Sequence, residues 1–352
     1  MKANVIRCAA QGNPDVMRFE TVELGAPGLG EILVRQTAIG LNFMDVYHRG
    51  GQYPLPMPSG LGVEAAGVIE QVGSGVTELK KGDRIAYAGG APGAYADYRI
   101  MPAAGRMIKI PNFISDEQAA AILMKGTTSE YLLNRCYPLQ AGQYALFLAA
   151  AGGVGLVAGQ WGKALGAKMI GVAGGAEKCR LAAEHAYAYV IDRKSEDIVA
   201  RVKAITGGAR VPVVFDSIGK ATFETTLNCL APRGYFVSFG TTTGAPSPVE
   251  AATLQKMGSL YFTRPTHVTY TAKREDLLAS AAAVFDMVKE RCRQDSHRAA
   301  LPAGGRGQGA RRPGRRAHQR VIDSGALKFL SRIKQKSPDA PGLFRLPCRL
   351  LR

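Results

Sequence analysis

The chain has 352 residues, 46% of them hydrophobic, and a formal net charge of +17. That length suffices for two domains with cores of their own, and 42 glycines suit a soluble α/β protein. The charge is not spread evenly: residues 290–352 hold 16 Lys or Arg and 4 Asp or Glu, a net +12, which leaves +5 on the other 289 residues. The body therefore gives no electrostatic reason to expect a nucleic-acid partner.

Met1–Ala10 carries Lys2 and Arg7 within a strand-like run and has no apolar leader character. Short strands and turns continue to about residue 125. Asn4–Ala9, Glu31–Ile39, Gly67–Val72 and Arg84–Ala88 have β-like composition, and Gly73-Ser74-Gly75-Val76 and Lys80-Lys81-Gly82-Asp83-Arg84 read as turns. Ser115 opens a capped helix, with Gln118 at the capping-box position.

Residues 127–265 then alternate strand and helix. The apolar run Tyr144–Ala149 stops at Ala150-Ala151-Gly152-Gly153-Val154-Gly155, and a helical pattern follows at once. Strand, tight turn, helix is the context of a dinucleotide-binding fingerprint. Gly152 lets backbone approach a pyrophosphate, Gly155 lets the helix pack on the strand, and the helix N-terminus offers free N–H groups. Ala150 replaces the first glycine of the usual pattern, so a glycine-rich turn in an unrelated α/β protein is the alternative. The same low-charge stretch resembles a membrane segment in length, but its glycines and its continuation into Trp161-Gly162-Lys163 argue against one.

Ala167–Gly174 reads as a second buried strand. A reader of NAD carries Asp or Glu near the end of this strand. Here Gly174-Gly175-Ala176-Glu177-Lys178 follows instead, and Arg193 comes after the apolar Ala188–Ile191. Missing acid with Lys178 and Arg193 nearby favours NADPH over NADH; the alternative for Lys178 is a solvated helix-start lysine. Val211–Ser217 and Gly234–Gly240 are later strands. Their polar ends, Ser217 and Thr241–Thr243, lie at the carboxyl edge, where such sheets bind ligands.

The six cysteines (Cys8, Cys136, Cys179, Cys229, Cys292, Cys348) form no CxxC pair, so reduced thiols and a cytoplasmic location are expected.

Seven motifs in order make the chain similar to a known family. They are Gly40-Leu41-Asn42-Phe43-Met44-Asp45, Pro58-Ser59-Gly60-Leu61-Gly62-Val63-Glu64-Ala65-Ala66-Gly67, Val72-Gly73-Ser74-Gly75-Val76, Lys80-Lys81-Gly82-Asp83-Arg84, Lys125-Gly126-Thr127-Thr128, the turn at 150–155, and Gly258-Ser259-Leu260-Tyr261. Over residues 1–289 the chain resembles the zinc-free, zeta-crystallin-like quinone oxidoreductases of the medium-chain dehydrogenase/reductase superfamily. The resemblance implies an α/β protein in which a GroES-like, β-rich catalytic domain (1–126) is joined to a doubly wound Rossmann domain (127–265). Residues 266–289 would begin the return to the first domain.

Zinc-dependent members of that superfamily carry Cys where this chain has Asn42 and His where it has Val63. They also place four cysteines near residues 86–106, a region with none here. Valine cannot ligate zinc and asparagine does so poorly, so no metal is expected. By resemblance, Asn42 and Tyr47 flank the nicotinamide, with Thr128 close by. Gly152, Gly153, Val154, Gly155 and Gly174 belong to the cofactor turns. Ser217, Phe239, Gly240 and Thr241 line the adenosine and ribose side. Tyr53 and Arg264 are candidates for the substrate pocket, Arg264 also for the cofactor, and Asn42 and Tyr53 for catalysis. A buried turn asparagine and a loop aromatic are the plain alternatives for these last two. His48, His185 and His267 lack metal-like spacing and are expected to be surface or structural, and Glu64 and Asp45 to be structural.

The implied reaction is reduction of a small quinone by NADPH, in a homodimer joined near Gly258–Arg264. An NADPH-dependent reductase of activated alkenes is the second reading. A silent protein that binds NADPH or nucleic acid is the third.

The tail departs from the family. Instead of a motif like QRYPL and a helix like AHxxLE, the chain reads Arg/Gly/Pro/Ala-rich text. His297–Gly305 back-translates so that starting one base later permits Ile-Glu-Gln-Arg-Tyr-Pro-Leu-Ala-Glu. Residues 290–352 are accordingly expected to be a frameshifted, disordered basic tail whose sequence leaves strand edges of the first domain open. A natural basic tail is the alternative.

Overall fold

Glu31 to Gly40 explains much of the first unit. In this strand Ile32, Leu33 and Val34 are all buried, so both of its faces are covered and the usual in–out alternation is lost. The computed structural model describes residues 1–300 and 322–323. The strands are β1 (Lys2–Cys8), β2 (Met17–Glu23), β3 (Glu31–Gly40), β4 (Ser59–Gly60), β5 (Glu64–Val72), β6 (Arg84–Ala88), β7 (Tyr98–Pro102) and β8 (Met107–Lys109). Helix α1 (Phe43–Gly50) lies between β3 and β4, and α2 (Asp116–Glu130) follows β8. Antiparallel β2-β1-β4 forms one sheet. In the other, β3 pairs with β5 from Ile32↔Val72 to Gly40↔Glu64, and with β7 over Glu31–Arg35. Ile6, Ile32, Val34, Ile69, Ile85 and Tyr87 make the centre of the core. Ser115 and Gln118 form the expected capping box: Ser115 N–H donates to Gln118 Oε1 at 2.9 Å, and Gln118 N–H to Ser115 Oγ at 3.2 Å.

The second unit spans Lys125–Ser280. A π-helical stretch, Tyr131–Cys136, extends α2. Then come β9 (Tyr144–Leu148), α3 (Gly153–Ala164), β10 (Lys168–Ala173), α4 (Ala176–Glu184), β11 (Tyr189–Asp192), α5 (Ile198–Ile205) and β12 (Val211–Asp216). They are followed by α6 (Phe223–Leu227), β13 (Leu230–Ser238), α7 (Ala251–Lys256), β14 (Tyr261–Thr263), α8 (His267–Tyr270) and α9 (Arg274–Ala300). The strands pair in parallel in the order β11-β10-β9-β12-β13-β14. Strand order reverses between β9 and β12, which makes the carboxyl ends of these strands the ligand-binding edge. Leu146, Phe147, Leu148, Val213, Val214 and Phe215 are buried without alternation, as strands covered on both faces require.

Two pieces of the expected tail have regular structure. Residues 291–300 continue α9, in keeping with their Ala, Arg and Gln content. Residues Ile322–Asp323 (β15) pair antiparallel with β3, Ile322↔Ile39 and Asp323↔Ala38, beside the stretch that β7 takes. The edge of β3 is therefore covered at that point. The disorder expected for residues 301–321 and 324–352 lies outside the described residues.

Candidate functional site

The turn after β9 is built by close backbone contacts. Ala149 adopts φ 54°, and Gly152 N–H donates to Ala149 O at 2.8 Å. Ala150 is fully buried, with its N–H on Val172 O at 3.0 Å, so the position of the missing first glycine is bonded to β10. Gly152 is the N-cap of α3. A methyl group on Gly155 would stand 2.5 Å from Ala149 O and 2.6 Å from Ala150 O. Only glycine lets α3 start this close to the strand. Tyr187 OH donates to Gly155 O at 2.8 Å and holds the turn from behind. The first N–H groups of α3 are thus presented at the carboxyl edge, an arrangement suited to a pyrophosphate.

The end of β10 leads through Gly174 and Gly175 into α4. The Arg193 guanidinium lies against Gly174, its Nε 3.2 Å from where a methyl would stand. Lys178 is exposed in the first turn of α4, and Arg193 and Lys194 are exposed just after β11. Sequence reasoning named Lys178 and Arg193 but missed Lys194, although it adjoins Arg193. It also missed that a carboxylate reaches this turn from β11. Asp192 Oδ1 accepts from Gly175 N–H at 2.7 Å and from Lys194 N–H at 3.0 Å. Those backbone bonds, with Arg193 and Lys194 close by, hold its carboxyl below the usual range. Both bonds fall on Oδ1, and charges of both signs surround it: Lys178, Arg193 and Lys194 with Glu177 and Glu196.

Ser217, Phe239, Gly240 and Thr241 come together where the loops after β12 and β13 cross. A methyl on Gly240 would stand 2.8 Å from Ser217 O, and Thr242 N–H donates to Ser217 O at 3.2 Å. The Phe239 ring packs 5.5 Å from Phe147. Asp216 organises the crossing. Its buried carboxylate accepts from Ile218 N–H at 2.6 Å, Gly219 N–H at 3.0 Å and Thr222 Oγ1 at 2.7 Å. Burial raises its pKa despite these donors. Arg264, just after β14, donates from its NH1 to Ser238 O at 3.1 Å. Thr128 lies in α2 beside Thr127, whose Oγ1 is 2.9 Å from His267 Nε2.

Asn42, Tyr47 and Tyr53 cluster in the first unit. Asn42 is the N-cap of α1 and shares a capping box with Asp45. Its Nδ2 donates to Glu64 Oε2 at 2.8 Å, while Glu64 Oε1 accepts Met124 N–H at 2.7 Å. Tyr95 OH donates to Asp45 Oδ2 at 2.7 Å. Glu64 and Asp45 therefore hold the turn, as expected. Tyr47 and Tyr53 pack at 5.0 Å between ring centroids, with Phe43 5.1 Å from Tyr47. His48, His185 and His267 are all buried rather than on the surface. His185 Nδ1 is 2.8 Å from Leu181 O.

The residues do not fit a zinc ion. Val63 is apolar and fully buried, and the Asn42 amide donates to Glu64. Among the described residues no group of three or more His, Cys, Asp or Glu is placed to hold a metal.

Comparison with known proteins covers both units. The family model described as an alcohol dehydrogenase GroES-like domain matches residues 28–112, and that described as a zinc-binding dehydrogenase matches residues 153–282. The quinone oxidoreductase of Pseudomonas aeruginosa is 47% identical over 288 residues, 82% of this chain and 88% of that protein. A 2-haloacrylate reductase of a Burkholderia species is 38% identical, over 79% of this chain and 86% of that protein. The crystal structure of Escherichia coli quinone oxidoreductase complexed with NADPH has a TM-score of 0.79 at 45% identity and covers 81% of this chain and 87% of that one.

Proposed function

The chain belongs to the quinone oxidoreductases of the medium-chain dehydrogenase/reductase superfamily, and from that premise we propose that it passes reducing equivalents from NADPH to a small quinone without a metal ion. The observation that carries this reading is the carboxyl edge of the parallel sheet. There the glycine turn, the crossed loops at Ser217 and Gly240, and the Lys178, Arg193 and Lys194 charges are all supplied by one unit. When bound, NADPH supplies the hydride. Gly152, Gly153, Val154 and Gly155 offer backbone to its pyrophosphate, and Gly174, Lys178 and Arg193 take the 2′-phosphate. Ser217, Phe239, Gly240, Thr241 and Arg264 hold the adenosine and ribose side. Asn42, Tyr47 and Thr128 orient the ring, and Tyr53 and Arg264 contact the quinone. A quinone needs little acid or base help, because its product is an aromatic hydroquinone. The residues therefore act by positioning and by excluding water.

The likeness to a 2-haloacrylate reductase favours a second reading, reduction of an activated alkene. The test is turnover of NADPH with 1,4-benzoquinone or a naphthoquinone beside an enone, with and without a chelator. Quinone turnover indifferent to the chelator is expected. Enone turnover alone would move the chain to the second reading.

We also propose a homodimer through β14. Among the described residues β14 pairs only with β13, and Tyr261 on it is 52% exposed. An unpaired strand edge invites a second copy. Sedimentation should give a dimer at micromolar concentration; a monomer there would count against it. A cytosolic location belongs to the same reading. Cys8, Cys136, Cys179 and Cys229 are free thiols, and among the described residues no helix is long and apolar enough to cross a membrane.

For the domain boundaries our reading remains a catalytic domain at 1–126, a cofactor domain at 127–265 and a returning segment from 266. Residues 290–352 are read as out of frame. A gene corrected by one base near codons 289–297 should encode QRYPL and give a protein with a higher melting temperature. A gene with no recoverable family motif in either other frame would defeat this account.

A further inference from the structure

Thr127 and His267 make a polar contact inside the second unit. Thr127 is fully buried in α2, and His267, the first residue of α8, is 6% exposed. Thr127 Oγ1 lies 2.9 Å from His267 Nε2. Beside this pair the Tyr131 ring stacks on Tyr270 at 4.6 Å between centroids, and Arg135 NH1 donates to Tyr270 O at 2.9 Å. The α8 side is fixed as well. Thr271 Oγ1 donates to His267 O at 2.6 Å, and Thr266 Oγ1 accepts Thr269 N–H at 3.2 Å. Upstream, Pro265 has its φ locked by the ring, and Arg264 NH1 donates to Ser238 O at 3.1 Å. The segment from Arg264 to Thr271 is thereby pinned at two places, to β13 by Arg264 and to α2 by His267.

Stacked rings can slide on one another at little cost. A buried hydrogen bond cannot, because a shift leaves its donor and its acceptor unsatisfied together. A satisfied polar pair in a core therefore specifies one placement of the elements that carry it. Two residues adjoin this pair: Thr128, next in α2, and Arg264, three positions before His267. We propose that Thr127 and His267 are positioning residues of the reaction, whose bond sets Thr128 for the nicotinamide ring and Arg264 for the quinone. The inference rests on the NADPH and quinone reading above, and it gives neither Thr127 nor His267 a contact with cofactor or substrate.

Thr127→Val keeps the shape of the side chain and removes the bond. Stopped-flow oxidation of bound NADPH by a naphthoquinone, at saturating concentrations and well below the variant's melting temperature, should slow roughly tenfold. The Kd of NADPH should stay within about twofold, because the glycine turn and the charges offered to the 2′-phosphate lie elsewhere. Thr127→Ser keeps the hydroxyl and should transfer hydride within about twofold of the parental rate. If the Val variant does not fold, His267→Phe breaks the bond from the other side, keeps a ring near Tyr131, and should be slow in the same way. A lower melting temperature with a parental rate would make the bond structural only and overturn the proposal. Equal slowing in the Val and Ser variants would assign the effect to packing and overturn it as well. So would a loss of NADPH affinity that matches the loss of rate. A parent chain that reduces no quinone would remove the functional reading, and this inference with it.

Discussion

Gly155→Ala is expected to abolish NADPH binding and to lower the stability of the cofactor unit by about 3 kcal/mol or more. The added methyl would meet Ala149 O at 2.5 Å and Ala150 O at 2.6 Å, and both are backbone atoms with no rotamer to change. Neither side can retreat cheaply. Ala150 is bonded to Val172, Gly152 to Ala149, and Gly155 O to the buried Tyr187 hydroxyl. Moving α3 outward would break the Tyr187 bond and withdraw the N–H groups from the edge. Gly153→Ala is the control, because its nearest atoms belong to the flexible Lys125 stem. It should fold nearly as the parent does and weaken cofactor binding only moderately. Thermal unfolding by circular dichroism and NADPH titration would read both. A Gly155→Ala protein with parental melting temperature and affinity would show slack in the turn and remove it as the cradle.

The glycine turn was legible in the sequence because its parts are contiguous. An apolar strand, a small-residue turn and a helical pattern lie within two dozen residues, and each is dictated by local chemistry. The Ser115 and Gln118 cap was legible for the same reason. What escaped reading depends on contacts between distant elements. Asp192 reaches back across two strands' ends to Gly175, and Asp216 gathers a loop that sequence shows only as Ser217-Ile218-Gly219. Glu64 was read as structural, but its two partners, Asn42 and Met124, are far apart in the chain. The Thr127–His267 bond spans 140 positions, and no periodicity announces it. Lys125 was visible in its motif, yet its burial against Gly153 was not, since a lysine beside a glycine reads as surface.

The electrostatics explain why a missing acid matters more than an added base. In an NAD site a carboxylate accepts from the ribose 2′-hydroxyl and repels a 2′-phosphate. Here the nearby carboxylate, Asp192, comes from the end of β11 rather than β10, and its Oδ1 accepts the Gly175 and Lys194 N–H groups. Around it stand Lys178, Arg193 and Lys194, the charges offered to a 2′-phosphate, together with Glu177 and Glu196.

The double variant Lys178→Ala/Arg193→Ala should lose about 2 kcal/mol of NADPH affinity, roughly 30-fold, and leave NADH affinity within about twofold. The magnitude follows from exposure. Both side chains are solvent-exposed, so each contact with the phosphate is partly screened and falls well below the range for a buried charge-assisted bond. Planarity favours Arg193 as the larger contributor, because a guanidinium can take two phosphate oxygens at once while Lys178 offers a point charge. Arg193 also lies against Gly174, so its removal frees the turn as well as the charge. Titration at low and at high salt would measure this. The parent's preference for NADPH should shrink as salt rises, and the variant's affinities should depend on salt much less. Equal affinities for NADPH and NADH in the parent would show that the cluster is a solvated face. Equal loss of both cofactors in the variant would move these residues from the 2′-phosphate to the fold of the turn.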